Sequence, residues 1–166
     1  MQITIIFGST GGSTEEVAQK IAENLSCETK LVDISNASNE DFQNSTNLIL
    51  GTSTWGDGDL QDDWEDFFDE LDNIDFNDKK IALFGLGDQD SYYDTFLDGM
   101  GILYNKVKER GATIVGDNVD ISDFEFGEST ACIDGSFVGL AIDEDNQNNM
   151  SDERIKTWTK NLESKF

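Results

Sequence analysis

The residues best suited to chemistry in this chain fall in three loops. The first is Phe7-Gly8-Ser9-Thr10-Gly11-Gly12-Ser13-Thr14-Glu15. It follows an apolar run from Ile3 to Phe7 and precedes a stretch in which Val17, Ala18, Ile21, Ala22 and Leu25 share one helical face. A strand, a Gly/Ser/Thr turn and a helix in that order form an anion cradle. The first amides of a helix lack internal partners, and the helix dipole adds partial positive charge there. Ser9, Thr10, Ser13 and Thr14 add neutral donors, while Gly11 and Gly12 let the backbone approach a phosphate. The loop matches neither G-x-x-x-x-G-K-[ST] nor G-x-G-x-x-G, and it has no Lys or Arg. It suits one terminal monophosphate held by donors rather than by counter-charge. The same residues also read as a plain turn before a capped helix, since Ser13 and Glu16 fit an S-x-x-E capping box.

The other two loops carry aromatic residues in polar surroundings. One is Ser53-Thr54-Trp55-Gly56-Asp57-Gly58-Asp59-Leu60; the other is Leu86-Gly87-Asp88-Gln89-Asp90-Ser91-Tyr92-Tyr93-Asp94. Trp55 and Tyr92 on adjacent loops can sandwich a flat ring, each stacking contact adding roughly 0.5–1.5 kcal/mol beyond buried area. Ordinary loop anchoring explains the same rings, and Tyr93 competes with Tyr92 by position.

Composition narrows the classes of function. The chain has 166 residues, 37% of them hydrophobic, with eleven Phe and no Pro. That length supports one domain spanning 1–166 with a proper core. The formal charge of −24 argues against nucleic acid and anionic membranes, and favours basic protein partners. The absence of His removes the commonest general base and metal ligand. Cys27 and Cys132 have no motif spacing and read as unpaired thiols of a reducing compartment. The chain enters a strand at once, and no run of eighteen apolar residues occurs, so a cytoplasmic protein is expected. The run from Asp143 to Asn149 lacks EF-hand spacing and reads as a solvated loop, leaving no metal site.

The elements that must position the three loops alternate between strand and helix. Strands are expected at 2–7, 29–34, 48–52 and 81–85. A fifth begins at 113–115, is interrupted over 117–136 and resumes at 137–142. Helices are expected at 13–25, 62–71 and 95–110, with Gly111 as a stop and Ser151 capping a last helix. The polar segment 35–46 reads as a surface crossing. Such alternation predicts an α/β fold: a doubly wound, five-stranded parallel sheet of order 2-1-3-4-5, with strand five split by an insertion. Ligands in such folds bind beyond the carboxyl ends of the strands, where the three unusual loops emerge.

The segments 9–14, Ser53-Thr54-Trp55-Gly56, Gly85-Leu86-Gly87-Asp88-Gln89 and Phe137-to-Gln147 resemble the flavodoxins, in order and at the spacing of that family. The resemblance runs from Ile3 to the last helix, and the split strand resembles the long-chain type. It implies a flavodoxin-like fold and a low-potential electron carrier with one non-covalent FMN and no catalytic residue. In that picture Ser9, Thr10, Gly11, Gly12, Ser13 and Thr14 hold the phosphate, and Trp55 and Tyr92 flank the isoalloxazine. Gly56 and Asp57, with Gly58 completing the loop, face flavin N5. Asp88 and the backbone of Phe96 and Leu97 meet the pyrimidine edge, Gly87 is a further cofactor-binding residue, and Ser53, Thr54 and Asp145 contact the ribityl chain. Many relatives carry Pro where this chain has Ser53, and a non-glycine residue where it has Gly56. Implied partners are basic-surfaced redox proteins, such as a flavodoxin/ferredoxin NADP reductase or an oxidoreductase using ferredoxin, met by a monomer. The alternative on the same fold is an FMN-dependent quinone or NAD(P)H oxidoreductase. A receiver domain is disfavoured, because Phe7-Gly8-Ser9 stands where that fold clusters Asp.

Overall fold

The computed structural model describes residues 1–166. Its elements in chain order are β1 (Gln2–Phe7), α1 (Ser13–Asn24), β2 (Glu28–Asp33), α2 (Asn39–Gln43) and β3 (Asn47–Trp55). They continue with β4 (Asp59–Leu60), α3 (Asp62–Phe67), β5 (Lys80–Leu86), α4 (Asp98–Glu109) and β6 (Thr113–Ile114). The last are β7 (Cys132–Ile133), β8 (Ser136–Phe137), β9 (Leu140–Ile142) and α5 (Ser151–Leu162). The sheet runs β2-β1-β3-β5, and β5 is flanked in parallel by both β6 and β9. β6 pairs at Lys80–Ile81 and β9 at Phe84–Leu86, so the two are halves of one strand laid along β5. The order is therefore 2-1-3-4-5 with a split fifth strand, as the alternation of elements predicts.

Side chains sort to two faces by the period of two that a strand imposes. Ile6, Leu48, Leu50, Ile81 and Leu83 pack beneath Trp64 of α3 and Met100 and Leu103 of α4. Their neighbours Ile5, Phe7, Ile49, Ala82 and Phe84 face Val17 and Ile21 of α1 and Ile155 and Trp158 of α5. A parallel sheet buried on both faces must be apolar at nearly every position, which is why these strands read as runs rather than alternations.

Several local expectations differ from the structure. β3 extends to Trp55, because β4 folds back on it antiparallel with Thr54 opposite Leu60 and Trp55 opposite Asp59. Trp55 thus ends a strand instead of sitting in a free loop. The segment 35–46 contains α2, whose Phe42 is fully buried against Trp64, Phe67 and Phe76. The helix expected over 62–71 tightens to a 3-10 turn at 68–73, and that expected from 95 begins at Asp98. Phe137 belongs to the β7–β8 hairpin of the insertion, and the second half of strand five starts at Leu140. Ser13 and Ser151 do not cap their helices; each is the first helical residue, after Gly12 and Met150. The stop at Gly111 is present, with φ 104°.

Candidate functional site

The cradle sits where β1 hands over to α1. Gly12 takes φ 94°, which an L side chain rarely adopts, and its carbonyl accepts the first helical bond from Glu16 at 3.0 Å. No carbonyl accepts from the amides of Ser13, Thr14 or Glu15, so three N–H groups remain free at the dipole's positive end. The Ser9 hydroxyl accepts from the Gly12 amide at 3.1 Å and folds the loop over that end. Gln61 braces the loop from α3: its carbonyl oxygen accepts from the Asp63 and Trp64 amides, and its Nε2 donates to Thr10 Oγ1 at 3.2 Å. Gly8 makes room for this brace, since a Cβ there would lie 2.2 Å from Gln61 Oε1. Gln61 is the residue the sequence reading missed here; a buried Gln opening a helix beside a tryptophan is its only sequence signal.

At the end of β3, the Gly58 amide donates to the Trp55 carbonyl at 3.2 Å and closes a tight turn. Gly56 has φ 52° and Asp57 a negative φ, the sign pattern of a type II′ hairpin turn, in which glycine is preferred first. The Trp55 indole N–H donates to Ser53 Oγ at 2.7 Å, so Ser53 holds the ring. Trp55 is nonetheless 46% exposed, as is Tyr92. A large aromatic left open on one side of a cleft gives little to the fold and much to a flat ligand. Tyr92 lines the cleft, whereas Tyr93 turns aside: its carbonyl accepts from the Gly127 amide at 2.8 Å.

The loop after β5 is built from carboxylates that accept backbone amides. Asp88 Oδ1 accepts from Asp90 and Ser91 amides at 3.1 and 3.0 Å and from Asn146 Nδ2 at 2.8 Å. Partial burial works against its charge, but these donors prevail and hold its carboxyl below the ordinary value. Asp145 is the opposite case. Burial, then the neighbouring charges of Asp88, Asp143 and Glu144, push its carboxyl up.

These loops enclose a cleft of about 340 Å³ at the carboxyl ends of β1, β3 and β5. Among the residues singled out from sequence, Ser9, Thr10, Gly11, Ser13, Thr14, Ser53, Thr54, Trp55, Gly56, Gly87, Asp88, Tyr92 and Asp145 line it. Gly12, Asp57 and Gly58 stand behind that lining, in the turns that shape it. Phe96 and Leu97 are fully buried outside it; Leu97 ends the loop at φ 61° and the Phe96 ring packs on Phe124, Phe126 and Phe137. Leu86 and Glu144 complete the wall without having been singled out. No Lys or Arg lines the cleft. A larger hollow of about 1100 Å³ lies between α5 and the start of the insertion and shares no lining residue with this cleft. Its charges are mixed and it gathers none of the unusual motifs, so size alone does not make it the site.

A family model described as flavodoxin matches residues 5–158. The flavodoxin of Trichodesmium erythraeum is 45% identical over 168 residues, covering 99% of this chain and 98% of that protein. The flavodoxin of Helicobacter pylori is 42% identical over 165 residues, covering 99% and 98%. Among solved structures, Fusobacterium nucleatum flavodoxin bound to flavin mononucleotide superimposes with a TM-score of 0.95 at 30% identity, covering 99% of this chain and 98% of that one.

Proposed function

This chain belongs to the flavodoxin family, and on that premise we propose that it is a low-potential carrier. It holds one FMN non-covalently and passes single electrons between redox proteins. The observation that carries the reading is the pairing of a neutral cradle, with three free helix amides, and two exposed aromatic rings across one cleft. The residues fit FMN at each part. A terminal phosphate suits the amides and hydroxyls of 9–14, because three free helix amides and neighbouring hydroxyls share one loop and need no cation. Ser53, Thr54 and Asp145 supply hydroxyl and carboxylate partners for a ribityl chain, and Trp55 and Tyr92 supply the walls for the isoalloxazine.

Bound FMN supplies the redox chemistry; the protein supplies binding, orientation and electrostatics. Trp55 and Tyr92 would keep water from the faces of a bound flavin. The Gly56 carbonyl, on a turn at positive φ, would be the acceptor available to a protonated flavin N5. Carboxylates of Asp88, Glu144 and Asp145 on the cleft wall would disfavour added negative charge on a bound flavin and so favour a low potential. They would also disfavour an anionic dinucleotide beside the flavin, which supports a carrier over an NAD(P)H oxidoreductase. Partners with basic surfaces, such as a flavodoxin/ferredoxin NADP reductase or an oxidoreductase using ferredoxin, match the charge of −24. The unpaired Cys27 and Cys132 suit work in a reducing cytoplasm.

Titrating FMN with apoprotein and following flavin fluorescence tests the reading. Stacking on Trp55 and Tyr92 quenches the emission at one equivalent, and riboflavin, lacking the phosphate, binds far more weakly. Unchanged fluorescence at micromolar protein overturns it.

A further inference from the structure

We propose that Gln89 and Asp143 are positioning residues that carry the support of the 117–136 insertion to the Tyr92 wall of the cleft through a one-way hydrogen-bond chain. The inference rests on the FMN reading above. Asp143 is fully buried and no Lys or Arg pairs with it. A carboxylate so placed is costly unless donors fill its lone pairs. The Gln89 amide and side-chain Nε2 donate to Oδ2 at 3.1 and 2.6 Å, and the Asp145 and Asn146 amides donate to Oδ1 at 3.1 and 3.0 Å. The carboxylate therefore pins the loop after β5 to the loop after β9, and both border the cleft.

Gln89 extends this pin into the insertion. Its side chain is 94% buried, and its Oε1 accepts from the Glu125 amide at 2.7 Å. The chain runs from Glu125 N–H to Gln89, and from Gln89 Nε2 to Asp143. It cannot reverse, because a backbone amide only donates: Glu125 N–H engages Gln89 Oε1 and leaves Nε2 to face Asp143. Other ties act in the same sense: the Gly127 amide donates to the Tyr93 carbonyl, and Asn146 Nδ2 donates to Asp88, whose own carbonyl accepts from the Tyr92 amide at 3.0 Å. Tyr92 is half exposed, so packing does not place its ring; the backbone beneath it does. The ionisable groups around the pair are Asp88 on the same loop, Glu144 and Asp145 beyond β9, Asp123 and Glu125 of the insertion, and Arg154 of α5.

The test compares Gln89→Leu and Gln89→Glu with the parent, measuring affinities for FMN and riboflavin at pH 8 and pH 5.5 and the melting of each apoprotein. Gln89→Leu weakens both ligands by the same factor, about tenfold or more, because the ring wall is displaced and the phosphate cradle is not. The FMN-to-riboflavin ratio stays that of the parent. Gln89→Glu sets a carboxylate against Asp143, and two carboxyls at that distance share one proton rather than both ionising. Its deficit against the parent is largest at pH 8 and shrinks at pH 5.5, which Gln89→Leu does not reproduce. A merely structural role lowers melting and leaves that pH profile flat. Folded variants that bind as the parent does at pH 8 overturn the inference alone; a parent that binds no FMN overturns the functional reading beneath it. Should Gln89→Leu not fold, the pH profile of Gln89→Glu decides.

Discussion

Gly56 shows how one residue can set the properties of the whole site. Its φ of 52° lies in the left-handed region, and a Cβ there would meet Asp59 Oδ2 at 3.1 Å. A β-branched residue adds both that contact and left-handed strain of about 1–2 kcal/mol. Gly56→Val should therefore reposition the carbonyl offered to N5 and lower the first one-electron potential of the bound flavin, by on the order of 40 mV per kcal/mol. The second potential should move less and in the opposite sense. Photoreduction with spectra recorded through the titration measures both, and an unmoved first potential would show that the Gly56 carbonyl is not the acceptor.

At the scale of elements, α2 is only five residues long, far too short to persist by propensity. Two things hold it: Phe42, buried beside three aromatic rings, and Asp41, whose carboxylate accepts from the Ser38 amide at 2.9 Å. That hydrogen bond, with Lys30 nearby, keeps the Asp41 carboxyl below the ordinary range despite partial burial. A depressed carboxylate adds stability above its unfolded pKa of about 3.9, and the gain is lost as pH falls through the lower folded value. Asp41→Ala should cost about 1 kcal/mol at pH 7, or roughly 2–4 °C in Tm. The difference from the parent should begin to shrink only below about pH 4 and close as the pH passes through the lower folded value. Thermal melts followed by circular dichroism at several pH values provide the check.

For the whole molecule, the dominant property is a charge of −24 carried by 35 acidic and 11 basic residues. Asp57, Asp59, Asp62 and Asp90 are exposed near the cleft mouth, with Asp63 and Asp88 half-buried beside them. A basic redox partner would be steered there over a range that salt cuts to about 10 Å at 0.1 M. Stopped-flow electron transfer to such a reductase should slow as ionic strength rises. A rate indifferent to salt would place docking elsewhere or make it apolar.

The sheet was legible in the sequence because burial on both faces forces continuous apolar runs, and runs such as Ile3–Phe7 and Ile81–Phe84 leave few alternatives. The three loops were legible because Gly, Ser and Trp at strand ends have no reason in packing to be there. Local signals misled where the deciding contact is distant. Ser13 and Ser151 look like caps, but the preceding residues take that position once the loops are folded. Phe42 looked like one apolar residue in a polar crossing until α3 supplied the rings around it. Trp55 became the end of a strand only because β4 folds back on it. The roles of Gln61, Gln89 and Asp143 were not legible in the sequence, because the partners that define them lie 36 to 54 residues away. Composition and periodicity determine which surfaces must be buried; only the folded chain decides which buried polar groups meet.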